Sequence, residues 1–510
     1  MPDSRNPVVE TTLGPVRGLK QDGIGMFLGI PYAAPPQGAG RFAAPEPHAP
    51  WAGVRDATIP GPTAPQAARR LGDIDMSPYF GPGWVRGADY LTVNVWTPRI
   101  GADIGADIGA GIGADIGADG GARGLPVMVF VHGGGFTAGS TSAPLYDGTA
   151  LAREGVVLVT VNYRLGVQGF LDLAGAPRNR GLLDVVAALR WVRENIAAFG
   201  GDPGTVTLFG QSAGATIVSA VAAGPEAAGL LRRAIVQSGS GLGAFTPEQA
   251  ALVTRAAARE LGVAAHADAF AAVPDDRLVE VVGRLSGIDL LTPGAYDPLM
   301  GLTPFSVVLP VQPAHAPPAA VDLLLGTTTQ EGNLYPAADG EDAHGAAARA
   351  HPDPDRLLAA YRAAARPGTP DAGLRSAVLG DALFGKGTWA LAEAYATAGR
   401  RTFHYEFGWR GVLGAAHAVE VPFLFGRTDL PELRGARGLL GPSPVPGDLA
   451  ERLRAAWVRF ARTGDPGWDA YDTERRTTMR IGEQWVTLPD PRGAERRAWS
   501  PPGACAPLDA

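Results

Sequence analysis

The 510-residue chain contains a single cysteine, Cys505, so no disulfide can form within it. No run of about 18 apolar residues is present, which argues against a membrane-spanning helix. The first residues also lack the apolar stretch of a secretory signal peptide. From these absences we expect a cytoplasmic protein.

Positive charge is scarce as well. Lysine occurs only at Lys20 and Lys386, and 44 lysines and arginines stand against 51 aspartates and glutamates, for a net charge of −7. This balance does not indicate nucleic-acid binding. A hydrophobic content of 46% with 19% charged residues is typical of a soluble globular protein with a large core. The length admits two or three domains, or one large α/β domain with insertions.

The most informative stretch is residues 199–214, FGGDPGTVTLFGQSAG. The apolar residues 206–209 predict a buried strand, and the small residues 215–223 predict a helix. Ser212 lies between them in a G-x-S-x-G pattern, the strand–turn–helix context of a nucleophile elbow. The flanking glycines permit the sharp turn, and the Ala213 N–H would point towards a developing oxyanion. A chance match is the alternative, because the chain has 70 glycines.

A second glycine-rich stretch follows another predicted strand. The apolar residues 125–131 run directly into His132 and the three glycines at 133–135. Glycines let the backbone approach a ligand closely and present N–H groups to an anion. We therefore expect Gly134 and Gly135 to donate to an oxyanion, while His132 braces the loop rather than acting as a base.

Further motifs occur in a fixed order around these two stretches. They are GIPYA with PP and RF at 29–42, DYLTVNVW at 89–96, and GAAHAVEVP at 414–422. Together the motifs resemble the type-B carboxylesterases, a family that includes bacterial para-nitrobenzyl esterases and cholinesterases. The resemblance extends from about residue 14 to residue 482. It implies an α/β-hydrolase fold, with a mostly parallel twisted central sheet, helices on both faces and cap insertions.

The chain departs from the family pattern at four positions, one of which is Gln330 in place of an aspartate and is expected to matter little. Ala88 replaces a glutamate that usually pairs with Arg41, and Tyr90 replaces a cysteine, whose loss suits a reducing compartment. Gln211 replaces a glutamate found in many relatives. A carboxylate at that position helps to attract cationic substrates, so its absence argues against a cholinesterase.

The resemblance implies a Ser–Glu–His catalytic triad without a metal or organic cofactor. Ser212 is the nucleophile, His417 is the base, and Glu331, which follows the predicted strand 321–326, orients the base. Ser238, at the end of another predicted strand, is expected to lie near Glu331. The resemblance also implies a structural ion pair between a buried arginine and a buried aspartate, Arg164 and Asp184.

Other residues compete for the base and acid roles. The further histidines are His48, His132, His266, His315, His344, His351 and His404. Most of them lie in predicted loops or on helix surfaces, whereas His404 lies within a predicted strand and is expected to pack in the core. Asp322 and Asp339 are the alternatives to Glu331, but the first lies inside a strand and the second comes late in the following loop.

Composition alone assigns the remaining regions. Residues 101–124 repeat GADI with a period of four, which suits neither a helix nor a half-buried strand, so we predict a mobile loop insertion. The spacing of its four aspartates does not match calcium-binding repeats. Residues 60–87 are rich in proline and glycine and predict a surface loop. Residues 245–305 and 338–400 have alanine-rich helical patterns and are expected to form a cap over the site.

These observations predict a serine carboxylesterase, organised as a single domain over residues 1–510, that cleaves a small-molecule ester through an acyl-enzyme. A lipase, an amidase or a specialised ester hydrolase on the same triad is the closer alternative. A catalytically inactive binding protein is the more distant one. No nucleic-acid or membrane partner is expected, and the physiological ester and the oligomeric state stay open.

Deletion of residues 105–118 tests the interpretation of the GADI repeat. We expect esterase activity and Tm to be nearly unchanged, because long surface loops cost little free energy to shorten. Hydrolysis of para-nitrophenyl butyrate and thermal unfolding would be compared between the deleted and full-length chains, with and without calcium. A large loss of either property, or a calcium-dependent stability that the deletion abolishes, would contradict the interpretation.

Overall fold

The computed structural model describes residues 6–99, 124–337, 340–365 and 367–500. Nearly all of the predicted GADI loop, the cysteine and Asp339 lie outside the described residues. The strands of the described chain are β1 Val8–Thr11, β2 Gly14–Arg17, β3 Leu19–Gln21, β4 Ile24–Pro31, β5 Arg55–Asp56, β6 Thr92–Thr97, β7 Leu125–Val131, β8 Val157–Val161, β9 Gly201–Gln211, β10 Arg233–Gln237, β11 Asp322–Thr328, β12 Thr402–Phe407, β13 Thr477–Ile481 and β14 Val486–Pro489.

Helices alternate with most of these strands. They are α1 Ser77–Phe80, α2 Thr149–Arg153, α3 Gly166–Phe170, α4 Arg180–Asn195, α5 Ala213–Ala223, α6 Pro247–Leu261, α7 Ala267–Ala271, α8 Asp275–Arg284, α9 Ala343–Ala350, α10 Pro354–Ala364, α11 Asp371–Gly380, α12 Lys386–Thr397, α13 Val421–Leu424, α14 Leu449–Thr463 and α15 Gly493–Ala498. Within the described ranges, none of the helices has the length and hydropathy needed to cross a bilayer.

Eleven strands form one sheet in the order β14-β13-β12-β11-β10-β9-β7-β8-β6-β4-β3. The seven strands from β13 to β8 in this order are joined by parallel pairings, and antiparallel pairings occur only towards the two edges. The predicted mostly parallel central sheet is therefore confirmed. This sheet combines strands from near both ends of the described chain, although the single-domain organisation itself stays a prediction.

Alternate residues of the central strands face two different cores. In β7, Val127, Val129 and Val131 pack in a core with residues of α4, α5 and α6. Met128 and Phe130 of the same strand pack in a second core with residues of α14. A strand that is buried on both faces must be apolar throughout, which is why the central strands read as continuous hydrophobic runs. The predicted helices on both faces of the sheet are confirmed.

Parallel pairing brings the carboxyl ends of the central strands to one edge of the sheet. The glycine-rich loop follows β7, Ser212 follows β9, Glu331 follows β11, and His417 comes after β12. Loops beyond the carboxyl ends of parallel strands are the usual place for a ligand site. The topology therefore assembles residues that are more than 200 positions apart in the sequence.

The segment 60–87 is not the surface loop that its composition predicts. Part of it forms helix α1, and Thr63, Met76 and Tyr79 are buried. Met76 and Tyr79 belong to the same core as α14. The prediction was wrong because proline and glycine disfavour regular secondary structure without preventing burial, and the apolar residues between them anchor the segment.

Arg41 has a different partner from the one that the family pattern provides. With alanine at position 88, its guanidinium forms an ion pair with Asp275 at the start of α8. It also donates to the carbonyl oxygens of Ala271 at 3.0 Å and Val273 at 2.6 Å. The positive charge is therefore held by the first of the two predicted cap regions.

The ion pair between Arg164 and Asp184 is completely buried. Both side chains have 0% exposure, and the guanidinium makes two hydrogen bonds to the carboxylate, at 2.7 and 2.9 Å. The backbone N–H of Arg164 donates to the same carboxylate at 2.9 Å. The pair joins the end of β8 to helix α4, so the predicted structural pairing is confirmed.

Replacing Arg164 by methionine would leave the Asp184 carboxylate buried without its cation. We expect Arg164→Met to lower the free energy of unfolding by about 3–5 kcal/mol, measured from urea unfolding curves. Arg178→Met is the matched control, because Arg178 pairs with Asp172 at 3.0 Å on the surface. That change should cost less than about 1 kcal/mol. Equal losses of unfolding free energy in the two variants would contradict the expectation that the buried ion pair matters more than the surface pair.

Candidate active site

Ser212 occupies the turn between β9 and α5. Its backbone angles are φ 59° and ψ −127°, a conformation that residues with a side chain rarely adopt. A Cβ atom on Gly210 would lie 2.7 Å from the backbone of Gly214, and one on Gly214 would lie 2.1 Å from a carbonyl oxygen of β7. Both flanking positions therefore require glycine. The strand–turn–helix context predicted for Ser212 is confirmed.

The glycine-rich loop after β7 lies directly against this turn. A Cβ atom on Gly133 would be 3.1 Å from the Cβ of Ser212. Gly134 and Gly135 have φ values of +116° and +61°, which glycine adopts without strain. Among the described residues, no acceptor is paired with the N–H of Gly134 or Gly135. Ala213 provides the first N–H of α5, and all three residues line the cavity beside Ser212.

Glu331 and His417 are in direct contact. The Glu331 Oε2 atom lies 2.6 Å from Nδ1 of His417, and both side chains are buried. The other carboxylate oxygen accepts hydrogen bonds from the Ser238 hydroxyl at 2.6 Å and from the Thr328 N–H at 2.7 Å. The expected proximity of Ser238 to Glu331 is confirmed. Because both oxygens are held, the carboxylate has a fixed direction towards the imidazole.

The second imidazole nitrogen contacts Gln211. His417 Nε2 lies 3.1 Å from Gln211 Nε2. Since Nδ1 donates to Glu331, Nε2 is the acceptor and the Gln211 amide is the donor. Within the described residues no hydrogen bond joins the Ser212 hydroxyl to His417, although both side chains line the same cavity. Serine–histidine contacts are often long in unliganded enzymes and shorten when substrate binds.

An aromatic ring covers one face of the imidazole. Phe384 stacks on His417 with ring centroids 4.3 Å apart and planes at 10°. Phe384 belongs to a π-helical turn, Asp381–Gly385, between α11 and α12. Tyr335 contacts the imidazole more loosely, with centroids 5.8 Å apart. The sequence predicts no role for either ring, because neither Phe384 nor Tyr335 belongs to a motif that indicates chemistry.

A second buried carboxyl group lies close to Glu331. Burial, together with the negative charge of Glu331, raises the pKa of Glu420 to about 8. Glu420 is therefore mostly uncharged at neutral pH, which leaves Glu331 as the anion next to His417. The motif at 414–422 contains Glu420, but its sequence position gives no indication of this depth.

The cavity beside Ser212 has a volume of about 60 Å³. It is mostly apolar, as is usual for sites that bind small molecules. Besides Ser212, His417 and the glycine-rich loop, its lining includes side chains from two regions in which the sequence shows no catalytic motif. The predicted cap regions contribute Leu299, Leu302, Thr303, Leu383 and Phe384. The segment 60–87, which the sequence analysis treated as surface, contributes Arg69, Leu71, Met76, Tyr79 and Phe80.

The competing residues within the described ranges do not line the cavity beside Ser212. His132 Nδ1 is 2.8 Å from the carbonyl oxygen of Gly133, and burial lowers the pKa of His132 to about 4. His404 is also buried, which lowers its pKa to about 4. Asp322 lies 3.5 Å from Arg233 at the start of β11. His351 is buried rather than on the helix surface. Groups of acidic, histidine or cysteine side chains suited to hold a metal are absent from the described ranges.

Comparison with known proteins gives a consistent result. A model of the carboxylesterase family matches residues 5–361. The para-nitrobenzyl esterase of Bacillus subtilis is 35% identical, with 97% of this chain and 98% of that protein aligned. The phenmedipham hydrolase of Pseudarthrobacter oxydans is 35% identical, with 96% of each aligned. A solved PNB esterase structure and carboxylesterase EST55 of Geobacillus stearothermophilus each have a TM-score of 0.80 and 33% identity, covering 97% of this chain and 100% of theirs.

Introducing a carboxylate at position 211 tests the contact with His417. In Gln211→Glu the new charge would stabilise the protonated imidazole, so a higher pH would be needed to obtain the neutral base. We expect the rising limb of the kcat/KM–pH profile for para-nitrophenyl butyrate to move up by about one pH unit. Gln484→Glu, an exposed site, is the matched control. An unchanged profile in Gln211→Glu would show that residue 211 does not contact the imidazole during turnover.

Proposed function

Since the chain belongs to the carboxylesterase family, and is a serine carboxylesterase of the α/β-hydrolase fold, we propose that Ser212, His417 and Glu331 form its catalytic triad. The observation that carries this assignment is the 2.6 Å contact between Glu331 and His417. His417 in turn shares the wall of one cavity with Ser212, which lies on a strained strand–helix turn. An activated nucleophile requires a base that is itself oriented by a third group.

In the acylation step, the Ser212 Oγ atom attacks the carbonyl carbon of the ester. His417 Nε2 accepts the hydroxyl proton, and the imidazolium that forms is stabilised by the Glu331 carboxylate. His417 must release its hydrogen bond from Gln211 for this transfer, because Nε2 has only one lone pair. The tetrahedral intermediate then expels the alcohol, which takes the proton from His417, and leaves an acyl-enzyme on Ser212.

Deacylation repeats the sequence with water. His417 removes a proton from the water molecule as it attacks the acyl carbon, and then returns the proton to Ser212 Oγ. The carboxylic acid leaves and the free enzyme is restored. In both steps the negative charge develops on the former carbonyl oxygen, and we assign the backbone N–H groups of Gly134, Gly135 and Ala213 as its donors.

The cavity favours a small ester. Its volume of about 60 Å³ and largely apolar wall suit one short acyl or alcohol group, and the rest of a larger ester would extend out of this cavity. Two relatives are named for para-nitrobenzyl ester and phenmedipham hydrolysis. We propose aromatic esters with short acyl chains as substrates, and a fall in kcat/KM beyond medium chain length would separate this function from that of a lipase. A cytoplasmic location stays a prediction from the sequence.

Substitutions in the triad test its assignment. Ser212→Ala and His417→Ala should each lower kcat for para-nitrophenyl butyrate by a factor of order 10⁴, and the double variant should be hardly worse, because the residues act as one unit. Ser219→Ala, on the same helix as the Ser212 turn, serves as the control and should keep its activity. Labelling of another serine by an organophosphonate would disprove the nucleophile assignment.

Glu331→Gln should keep the fold and greatly reduce turnover, since an amide cannot stabilise the imidazolium as a carboxylate does. Circular dichroism would establish that the fold is intact, and kcat would be measured with the same ester. Near-normal activity in this variant would move the acid role to another carboxylate, such as Asp322 or Asp339.

A further inference from the structure

An arginine that has no carboxylate partner among the described residues lies in the wall of the candidate active site. Arg69, from the irregular segment 60–87, lines the cavity beside Ser212 together with apolar side chains. Its Nη1 atom donates to the Gly134 carbonyl oxygen at 2.7 Å and to the Thr137 hydroxyl at 3.0 Å. Both acceptors are neutral groups of the glycine-rich loop. Arg69 is therefore fixed in place without having its charge neutralised.

The guanidinium lies against the candidate oxyanion donors. A Cβ atom on Gly135 would be 2.0 Å from Arg69 Nη1 and 2.8 Å from both Cζ and Nη2. Only a glycine at this position lets the guanidinium pack on the loop backbone. The charge is therefore adjacent to the place where the carbonyl group of an ester would be cleaved.

Two of its donor nitrogens are available. No acceptor among the described residues pairs with Nε or Nη2 of Arg69, and no carboxylate in those ranges is within ion-pair distance of it. Burial lowers the pKa of Arg69, and the Tyr335 phenol opposes this effect. An unpaired guanidinium that has lost part of its hydration is a strong binding group for an anion, especially for the two oxygens of a carboxylate.

The same side chain borders a second cavity. This cavity has a volume of about 290 Å³ and shares Arg69, Leu71, Leu302 and Thr303 with the one beside Ser212. The rest of its wall includes Leu165, Val167, Leu278 and Val282. A substrate group that extends from the first cavity into the second would pass these shared residues, with Arg69 among them.

From these contacts we propose that Arg69 recognises a carboxylate on the substrate, so that the enzyme prefers esters carrying a second, free carboxylate group close to the ester bond. The proposal rests on the function proposed above and specifies its substrate class. The carboxylate forms a charge-assisted pair with Nε and Nη2 of Arg69, while Nη1 keeps its hydrogen bonds to the loop. The neutral part of the substrate occupies the apolar wall.

Two pairs of esters test the proposed preference for a substrate carboxylate. They also show whether that carboxylate is recognised on the acyl side or on the alcohol side of the ester. Monophenyl adipate and methyl phenyl adipate place a carboxylate, or its neutral methyl ester, on the acyl side. Meta-carboxyphenyl butyrate and its methyl ester do the same on the alcohol side. The release of the phenol gives kcat/KM for each. We expect the acidic member of at least one pair to be hydrolysed faster than its neutral partner, by about 10- to 100-fold.

Substitution of Arg69 tests whether this residue causes the preference for acidic over neutral esters. Arg69→Met should abolish the ratio between the acidic and neutral esters, and Arg69→Lys should keep part of it, because lysine retains the charge without the planar fork. Arg190→Met is the matched control, since it removes the same charge from an exposed residue that lines neither of the two cavities. Thermal unfolding would establish that each variant is folded.

The outcomes separate the proposal from its rivals. Equal losses with acidic and neutral esters in Arg69→Met would mean that the arginine only supports the glycine-rich loop, and would overturn the proposal. Equal rates for both members of each pair in the unmodified enzyme would also overturn it. If Arg69→Met fails to fold, competitive inhibition of the unmodified enzyme decides: adipate should inhibit para-nitrophenyl butyrate hydrolysis more strongly than adipamide. If the unmodified enzyme does not hydrolyse para-nitrophenyl butyrate at all, that result would instead contradict the proposed function.

Discussion

The chemistry of this protein depends on how closely two backbone segments pass at the end of the central sheet. The turn that carries Ser212 and the loop at residues 133–135 approach within distances that exclude a side chain, because a Cβ atom on Gly133 would lie 2.9 Å from the carbonyl oxygen of Gln211. In the proposed mechanism these two segments supply the backbone N–H donors of Gly134, Gly135 and Ala213. Side chains then need to supply only the proposed base, its orienting acid and the shape of the cavity.

Two buried carboxyl groups, Glu331 and Glu420, lie near the imidazole of His417, and burial favours the uncharged form of Glu420. Glu331 is held by hydrogen bonds to both oxygens, whereas burial keeps Glu420 largely protonated at neutral pH. Two adjacent buried carboxylates would repel each other, and proton uptake by one of them removes that repulsion. The amide of Gln211 adds no charge on the other side of the ring. The imidazole therefore faces one anion, on the side away from the substrate cavity.

The cavity wall depends on segments that have little regular structure. Residues 60–87 supply Arg69 and four apolar side chains to the wall, and the π-helical turn at Asp381–Gly385 places Phe384 on the imidazole. Irregular segments are free to vary in length and composition without changing the sheet. Much of the wall of the cavity beside Ser212 thus comes from segments outside the central sheet, and the proposed substrate preference depends on them.

The sequence by itself determined the elements whose cause is local. Continuous apolar runs identified the buried parallel strands, and the glycines around Ser212 identified the turn, since the required backbone angles are a property of that short stretch. The family resemblance supplied the order of the remaining motifs and the pairing of Arg164 with Asp184. Only the tertiary structure decided which distant side chains meet: Gln211 with His417, Asp275 with Arg41, and Arg69 with the glycine-rich loop. These contacts arise from the packing of segments that are far apart in the chain, and no local pattern of residue types encodes them.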